Sequence, residues 1–377
     1  MASGAWADSN QMITFSVASS GNIKSIIQEA FLLNMEVQSP DVKASFFKNI
    51  QNIHWPEVEP GKWVMGEIPG TTTSFLLSYK EAPKPVKTQM WLSNTPEKVN
   101  TKGLLKTFHL GGFNRHQLMY HHHNNFDKDL YFQIYLKNES TLDAVVYMNR
   151  AIGGPSQDEI FTGDVAMKRF WQNKLQGNFY SVTIPAGRAL KVVSQKLKPK
   201  HVISGMMEMI PEDSNPSVGV FILTTENPEI DTVQFPFHEP DQRVDGVFEI
   251  YQTKIKHTFL SKDPLLKVRL GEIPVIKNAK SEILKGNYGL EYQLTLEVEN
   301  VSTANKQLKG AMVPAGGIAA ATFLLNNQMI SLAATPARHK REFFNYVLEA
   351  GEKRTITLNL IPQAGANYPI DLEFSWL

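Results

Sequence analysis

Cysteine is absent from the 377-residue sequence. Its absence excludes disulfides, zinc sites with thiolate ligands and cysteine nucleophiles together. Long apolar runs are also missing, because no stretch approaches the ~20 residues that a helix needs to span a bilayer. The charges nearly balance, at a net +1, so we expect no broad attraction to nucleic acid and no nucleic-acid partner.

Motifs for catalysis are equally scarce. Ser156 and Ser204 lie near glycines, but neither stands in the Gly-x-Ser-x-Gly turn that exposes a nucleophile. A glycine-rich loop that would hold phosphate groups is missing as well. The sequence therefore predicts a protein without enzymatic activity and without a cofactor.

Short alternating segments fill the chain from Thr88 onward. The phrases "LYFQIYLKN", "RALKVVSQ" and "YQLTLEVEN" alternate apolar and polar residues, and Gly, Pro and Asn separate such phrases. A period of two at this short spacing is typical of β-sandwiches. Within this part of the chain, the spacing at Ala166–Gln176 predicts the one helix.

The first segment has a different pattern. Ile13, Phe15 and Val17 alternate with polar residues as in a strand, residues 23–31 have helical spacing, and residues 35–53 again favour strands. The phrase "KEAPKPVKTQ" follows, and its lysines and prolines favour an extended linker. We predict a small α+β domain at 1–83.

An internal repeat divides the remainder of the chain. "YLKNEST" ends at Thr141 and "EVENVST" ends at Thr303, and the glycine pairs of "AIGGPS" and "PAGGIA" follow in the same order. "IPAGRALKVV" with Gly187 and "LEAGEKRTITL" with Gly351 complete the match at a nearly constant offset. The predicted fold is mostly β: two tandem β-sandwich domains, at 84–235 and 236–377, preceded by the small α+β domain.

Several phrases resemble known families. "LSNTPEKV", "LMYHHHNN", "GGPSQDEIFTGDVAMKRF", "VRLGE" and "GNYGLEYQLTL" together resemble a secreted, uncharacterised β-rich family of Firmicutes and cyanobacteria. Its modules are often joined to stalk domains called copper amine oxidase N-terminal-like, and the family brings no established reaction. "RVDGVF" departs from the family's usual Arg-Gly-Thr-Phe phrase. "SPDVKASFFKNIQNIHW" resembles the short N-terminal domain of secretins and TonB-dependent receptors, which is an interaction module.

Three consecutive histidines are the strongest candidates for chemistry. On a strand, His121 and His123 would share one face, and His122 would lie on the other with Tyr120. His109 and His116 could approach them through a hairpin at "LGGFN", so His121, His123, His109 and His116 form a candidate zinc or copper site. The alternative, which we favour, is that these rings pack and bond to nearby groups such as Asn124, Asn125 and the carbonyls of Gly111 and Gly112.

These observations favour a non-catalytic, exported protein that acts in the cell envelope or at the cell surface as a structural or interaction protein. Its expected partner is a cell-wall or envelope polymer or another envelope protein. The start, "MASGAWADSN", lacks the features of a signal peptide, so we expect that one has been removed. A carbohydrate-binding module and a metal-binding protein or metalloenzyme are the alternatives, because fold alone does not choose among them.

Overall fold

The computed structural model describes residues 12–17, 62–67, 74–213, 217–228 and 243–377. The described chain is mostly strand, and its sheets pack face to face as sandwiches. The prediction of a mostly β fold with sandwich domains is therefore confirmed.

The described residues that precede residue 230 form strands and one long helix. They are β1 Met12–Val17, β2 Trp63–Glu67, β3 Ser74–Tyr79, β4 Thr88–Ser93, β5 Lys98–Val99, β6 Gly103–His109, β7 Arg115–Asn124, β8 Leu130–Asn138, β9 Ala144–Ser156, α1 Glu159–Gln176, β10 Tyr180–Ile184, β11 Ala189–Leu197, β12 Val202–Pro211 and β13 Val218–Thr225.

The strands that follow residue 242 have a single 3-10 turn among them, at Lys285–Asn287. They are β14 Gly246–Phe248, β15 Gln252–Leu260, β16 Leu266–Leu270, β17 Glu291–Glu299, β18 Lys306–Pro314, β19 Ala319–Leu325, β20 Gln328–Thr335, β21 Arg341–Leu348, β22 Lys353–Leu360 and β23 Ile370–Trp376.

The first sandwich packs a 10-stranded sheet against a 4-stranded sheet. Sheet 1 has the order β14-β4-β7-β12-β9-β10-β1-β3-β2, with β5 also paired to β7, and sheet 2 has the order β11-β8-β13-β6. Alternate side chains of the two sheets meet in one apolar core, where the rings of Tyr120 and Phe132 stack with their centroids 5.0 Å apart. The alternation read from the sequence therefore places one face of each strand inward.

The second sandwich packs a 5-stranded sheet against a 4-stranded sheet. Sheet 3 has the order β15-β17-β22-β19-β20, and sheet 4 has the order β16-β23-β18-β21. Phe323 of sheet 3 meets Phe343 of sheet 4 edge to face, with ring centroids 5.1 Å apart. The edge strand β15 runs parallel to β17 and carries exposed lysines, which discourage pairing with another chain.

The repeated phrases form the same turn in both sandwiches. The Asn138 side chain donates to the carbonyl of Leu142 at 2.7 Å and accepts from the Ser140 hydroxyl at 2.8 Å. Asn300 donates to the carbonyl of Ala304 at 2.8 Å and accepts from the Ser302 hydroxyl at 2.7 Å.

The strand that leads into each turn also has an equivalent partner in the two sandwiches. Lys137 of β8 lies opposite Ala189 of β11, and Glu299 of β17 lies opposite Lys353 of β22. In each sandwich the glycine that precedes the second strand, Gly187 or Gly351, has a positive φ. Similar sequence therefore accompanies similar strand pairing and turn geometry.

Helix α1 is longer than the sequence predicts. It begins seven positions earlier than Ala166, because Asp158 caps it by accepting from the Phe161 amide at 2.9 Å. The acidic residues Asp158, Glu159 and Asp164 therefore lie at the cap and in the first turns of the helix. Gly177 ends the helix at φ 61°.

The helix lies between the two sandwiches. Its buried side, with Ala166, Met167, Phe170 and Trp171, contacts β9 and β12 of sheet 1 and β19 and β20 of sheet 3. Loop 364–367 of the second sandwich packs so closely on the helix that an added Cβ on Gly365 would lie 2.2 Å from the Glu159 carbonyl oxygen. Only a glycine fits there, since φ is +75° as well.

Strands β1, β2 and β3 lie in the segment predicted as an α+β domain, and they extend sheet 1. β1 runs parallel to β3 and meets β10 at Val17 and Tyr180. The helix predicted at 23–31 and the strands predicted at 35–53 lie outside the described residues. The domain boundaries near residues 83 and 235 stay predictions.

Candidate functional site

The consecutive histidines lie on β7, in the middle of sheet 1, where β12 pairs on one side and β4 and β5 on the other. His122 faces the core of the first sandwich, and its ring centroid is 5.6 Å from that of Phe132. His121 and His123 face the opposite side, toward helix α1. This alternation is the one that a strand requires.

The four histidines proposed as metal ligands do not converge. β6 and β7 belong to different sheets, so the hairpin predicted through "LGGFN" does not form, and that expectation is wrong. His109 lies at the end of β6 in sheet 2, and His116 lies on the core side of β7, against Trp91. Among the described residues, no three His, Asp or Glu side chains are placed to hold one metal ion. Metal binding by the remaining pair, His121 and His123, stays a prediction.

His116 and His122 have protein partners inside the first sandwich. His116 accepts from the Gly111 amide at 3.1 Å, and burial lowers its pKa to about 4. His122 donates through Nδ1 to the Pro96 carbonyl at 3.0 Å, while its Nε2 lies 3.0 Å from the Ser93 hydroxyl. Both rings thus serve packing and hydrogen bonding.

His121 forms a buried pair with Ser204 of β12. Its Nδ1 lies 2.6 Å from the Ser204 hydroxyl oxygen. Burial first, and then the charges of neighbouring His122, His123 and Arg243, lower the pKa of His121 to about 3, so the ring is neutral at pH 7. Ser204 is only 1% exposed, which keeps this hydroxyl away from any substrate.

His123 lies at the end of the row, beside the helix. Its Nδ1 is 3.8 Å from a carboxylate oxygen of Glu159, in the first turn of α1. Burial lowers the pKa of His123, and the Glu159 carboxylate partly opposes this. The partners we expected from the sequence, Asn124 and Asn125, do not reach the rings: Asn124 instead donates to the carbonyls of Lys128 and Leu197.

A cavity of about 260 Å³ opens beside His121, where the two sandwiches and the start of helix α1 meet. Sheet 1 contributes Leu92, Met119 and His121, and the second sandwich contributes Tyr288 and loop 364–367. Four further polar residues of the lining are Asn94, Glu97, Glu159 and Arg243. Of the four histidines predicted as metal ligands, His121 lines this cavity.

Much of the cavity lining comes from phrases that stand out in the sequence. "LSNTPEKV", "LMYHHHNN", "GGPSQDEIFTGDVAMKRF" and "GNYGLEYQLTL", which are far apart in the chain, each supply at least one residue to the cavity. Four of the phrases that stand out in the sequence therefore meet in space.

Polar groups of the cavity are held in place by bonds to the protein. Arg243 Nε lies 2.8 Å from a carboxylate oxygen of Glu97. The Tyr288 hydroxyl donates to the Ala366 carbonyl at 2.9 Å, and burial raises the pKa of this phenol. Asn367 donates to the Ile318 carbonyl at 2.9 Å. These bonds hold several polar groups of the cavity wall in fixed orientations.

The sequence matches no protein-family model, and no curated protein matches it. The solved structures similar to it include Lac15 from a marine microbial metagenome, at 10% identity and a TM-score of 0.13, with 77% of this chain and 64% of Lac15 covered. This chain therefore spans less than two thirds of Lac15. The PBSX exported protein XepA is similar at 8% identity and a TM-score of 0.16, with 74% of this chain and 88% of XepA covered.

The Cucumber Necrosis Virus structure is similar at 9% identity and a TM-score of 0.17, with 85% of this chain and 91% of that chain covered. Likenesses at these TM-scores identify neither a fold family nor a function. In the part of the chain that the structure describes, no helix is both long and apolar enough to cross a membrane.

Proposed function

We propose that the protein is a non-catalytic structural or interaction protein that is exported and acts in the cell envelope or at the cell surface. Its partner is an envelope or cell-wall polymer or another envelope protein. The observation that supports this proposal is the apolar core that runs without a break from sheet 1, through helix α1, into the second sandwich. Such a core makes two sandwiches into one stiff scaffold.

Buried contacts at the helix explain the stiffness. Met119 and Met206 of sheet 1 share a core with Phe170 of the helix and Phe323 of the second sandwich. Burying a side chain of this kind contributes roughly 1.5–3 kcal/mol. Separating the sandwiches would expose several of them at once, so the separated state is strongly disfavoured.

Polar contacts fix the orientation of the sandwiches. Trp171 donates through its indole nitrogen to the Thr322 carbonyl at 2.9 Å, in a buried position. Lys174 pairs at 2.6 Å with Glu291, whose side chain is only 4% exposed. A stiff β scaffold of this kind presents loops at its ends, where binding surfaces of sandwiches commonly lie.

The absence of enzymatic activity is part of the proposal. Its support is the missing nucleophile motif in the sequence and the closed position of Ser204 behind His121. Export rests on the family resemblance in the sequence alone.

Co-sedimentation with insoluble cell-wall polymer tests the proposal. The folded protein is mixed with purified polymer, and the bound fraction is measured against protein concentration at low and high salt. We expect saturable retention that changes little with salt, because the net charge is only +1. An unrelated β-sandwich of similar size and charge serves as the control.

Two results would contradict the proposal. One is the absence of retention by cell-wall polymers and by purified envelope proteins. The other is turnover in a hydrolase or oxidase screen that disappears in the His121→Ala variant.

A further inference from the structure

We propose that the cavity between the sandwiches binds one small, neutral, polyhydroxylated molecule, such as a single sugar ring. This inference does not depend on the envelope proposal. It is tested with a free monosaccharide, whereas the envelope proposal is tested with a polymer. It rests on two polar groups without protein partners, on the balance of charge and on the apolar part of the lining.

Two polar groups of the lining have no hydrogen-bond partner among the described residues. The Oδ1 atom of Asn94 is buried and unbonded. His121 is 7% exposed, and since Ser204 occupies its Nδ1, its Nε2 is the nitrogen available to a ligand. An unsatisfied buried acceptor costs ~1–3 kcal/mol, so a ligand hydroxyl that reaches Asn94 Oδ1 recovers this cost, while His121 Nε2 offers a second hydrogen-bonding position.

Hydroxyl groups match both positions. Asn94 Oδ1 only accepts a hydrogen bond, whereas the free nitrogen of a neutral imidazole either donates or accepts according to its tautomer. A hydroxyl does both, so neighbouring hydroxyls of one ligand can serve both groups.

The charges of the lining have both signs, which favours a neutral ligand over an anion. Glu97 and Glu159 carry negative charge, Arg243 carries positive charge, and His121 is neutral at pH 7. An anion would lie beside two carboxylates in a confined space, and a cation would lie beside a guanidinium. A neutral ligand meets no like charge and can still bond to all three charged groups.

The remaining lining is apolar and suits the C–H face of a sugar ring. Leu92 is 1% exposed and Met119 is 2% exposed, and both line the cavity together with the ring of Tyr288. Apolar walls with a few fixed polar groups are typical of small-molecule sites. The volume of about 260 Å³ lies below the ~300 Å³ lower limit of drug-sized pockets, which favours one ring over a chain.

Isothermal titration calorimetry on the 377-residue protein at pH 7 tests this site. The probes are glucose, galactose, mannose, N-acetylglucosamine, myo-inositol and glycerol, each titrated singly, with methylammonium and acetate as charged comparisons. We expect at least one neutral probe to bind saturably with one site per chain, and both charged probes to bind more weakly.

The Asn94→Leu variant locates the binding. It removes the unbonded acceptor while keeping the shape of the side chain, so we expect an affinity at least tenfold lower and a melting temperature that is unchanged or higher. The matched control is Asn345→Leu, the same substitution at an exposed position on β21, which should bind as the original chain does.

Glu159→Ala is a second variant. The Glu159 side chain is 43% exposed, so we expect its removal to leave the fold intact. We expect at least threefold weaker binding. The proposal is overturned if no neutral probe binds, if a charged probe binds best, or if Asn94→Leu and Glu159→Ala both fold and bind normally. Loss of polymer retention with intact sugar binding would count against the envelope proposal alone.

Discussion

Replacing Gly163 by alanine tests how helix α1 is held against the second sandwich. Gly163 is buried, and an added Cβ would lie 1.9 Å from the carbonyl oxygen of Ala364 and 2.9 Å from its carbonyl carbon. The helix cannot withdraw from that loop, because on its other side Gly153 of β9 packs against the backbone of Thr162 and Ala166. The overlap therefore involves backbone on both sides of the helix.

Two opposing effects set the magnitude. Alanine favours the helix over glycine by ~1 kcal/mol. Overpacking a closely packed site costs typically ~1–3 kcal/mol, and the Gly163 contact belongs at the upper end because no side-chain rotation relieves it. The net expectation is a free energy of unfolding lower by about 2 kcal/mol.

Scanning calorimetry measures this effect. We expect the melting temperature of Gly163→Ala to fall by a few degrees. The control is Gly111→Ala, since no atom lies within 4 Å of an added Cβ there and its φ is not in the left-handed region. Its melting temperature should be unchanged or slightly higher. A melting temperature of Gly163→Ala equal to or above that of the original chain would refute the reasoning.

The remaining predictions concern the histidines and the repeated turn. The pKa values of His116 and His121 are lowered to about 4 and about 3, so the unfolded chain binds more protons below pH 6.5, and stability present at pH 7 should fall by about 2 kcal/mol per histidine at pH 5. A flat urea midpoint between pH 7 and pH 5 would contradict this. His121→Ala should lower the melting temperature with or without metal, and chelator should change nothing; a Zn²⁺-dependent or Cu²⁺-dependent rise that His121→Ala abolishes would instead support a metal site. Asn300→Ala should destabilise by about 1–3 kcal/mol, because the carbonyls of Ala304 and Leu348 lose their donor. The exposed Asn345→Ala is its control, and equal melting of the two variants would count against the role of the turn.

The candidate site shows where prediction from the sequence succeeded and where it failed. The sequence predicted that His121 and His123 share one face of a strand, because strand alternation is a local property of the backbone. It missed Ser204 as the partner of His121, since β12 lies far along the chain and the register of two strands depends on the whole sheet. The hairpin that would have joined His109 to His116 failed for the same reason: the chain leaves one sheet at β6 and enters the other at β7.

The sequence by itself determined the class of the fold and several local features, namely strands, turns and part of the helix. Alternation with a period of two marked several strands, and the repeated Asn and Ser residues marked two equivalent turns, because both depend on neighbours in the chain. Helical spacing also predicted the C-terminal part of the helix, although not its first turns after the cap at Asp158. The tertiary structure alone decided that the helix lies between two sandwiches and that phrases from four distant segments enclose one cavity. Such arrangements depend on which apolar faces bury each other, and a pattern within one segment does not specify the partner of its buried face.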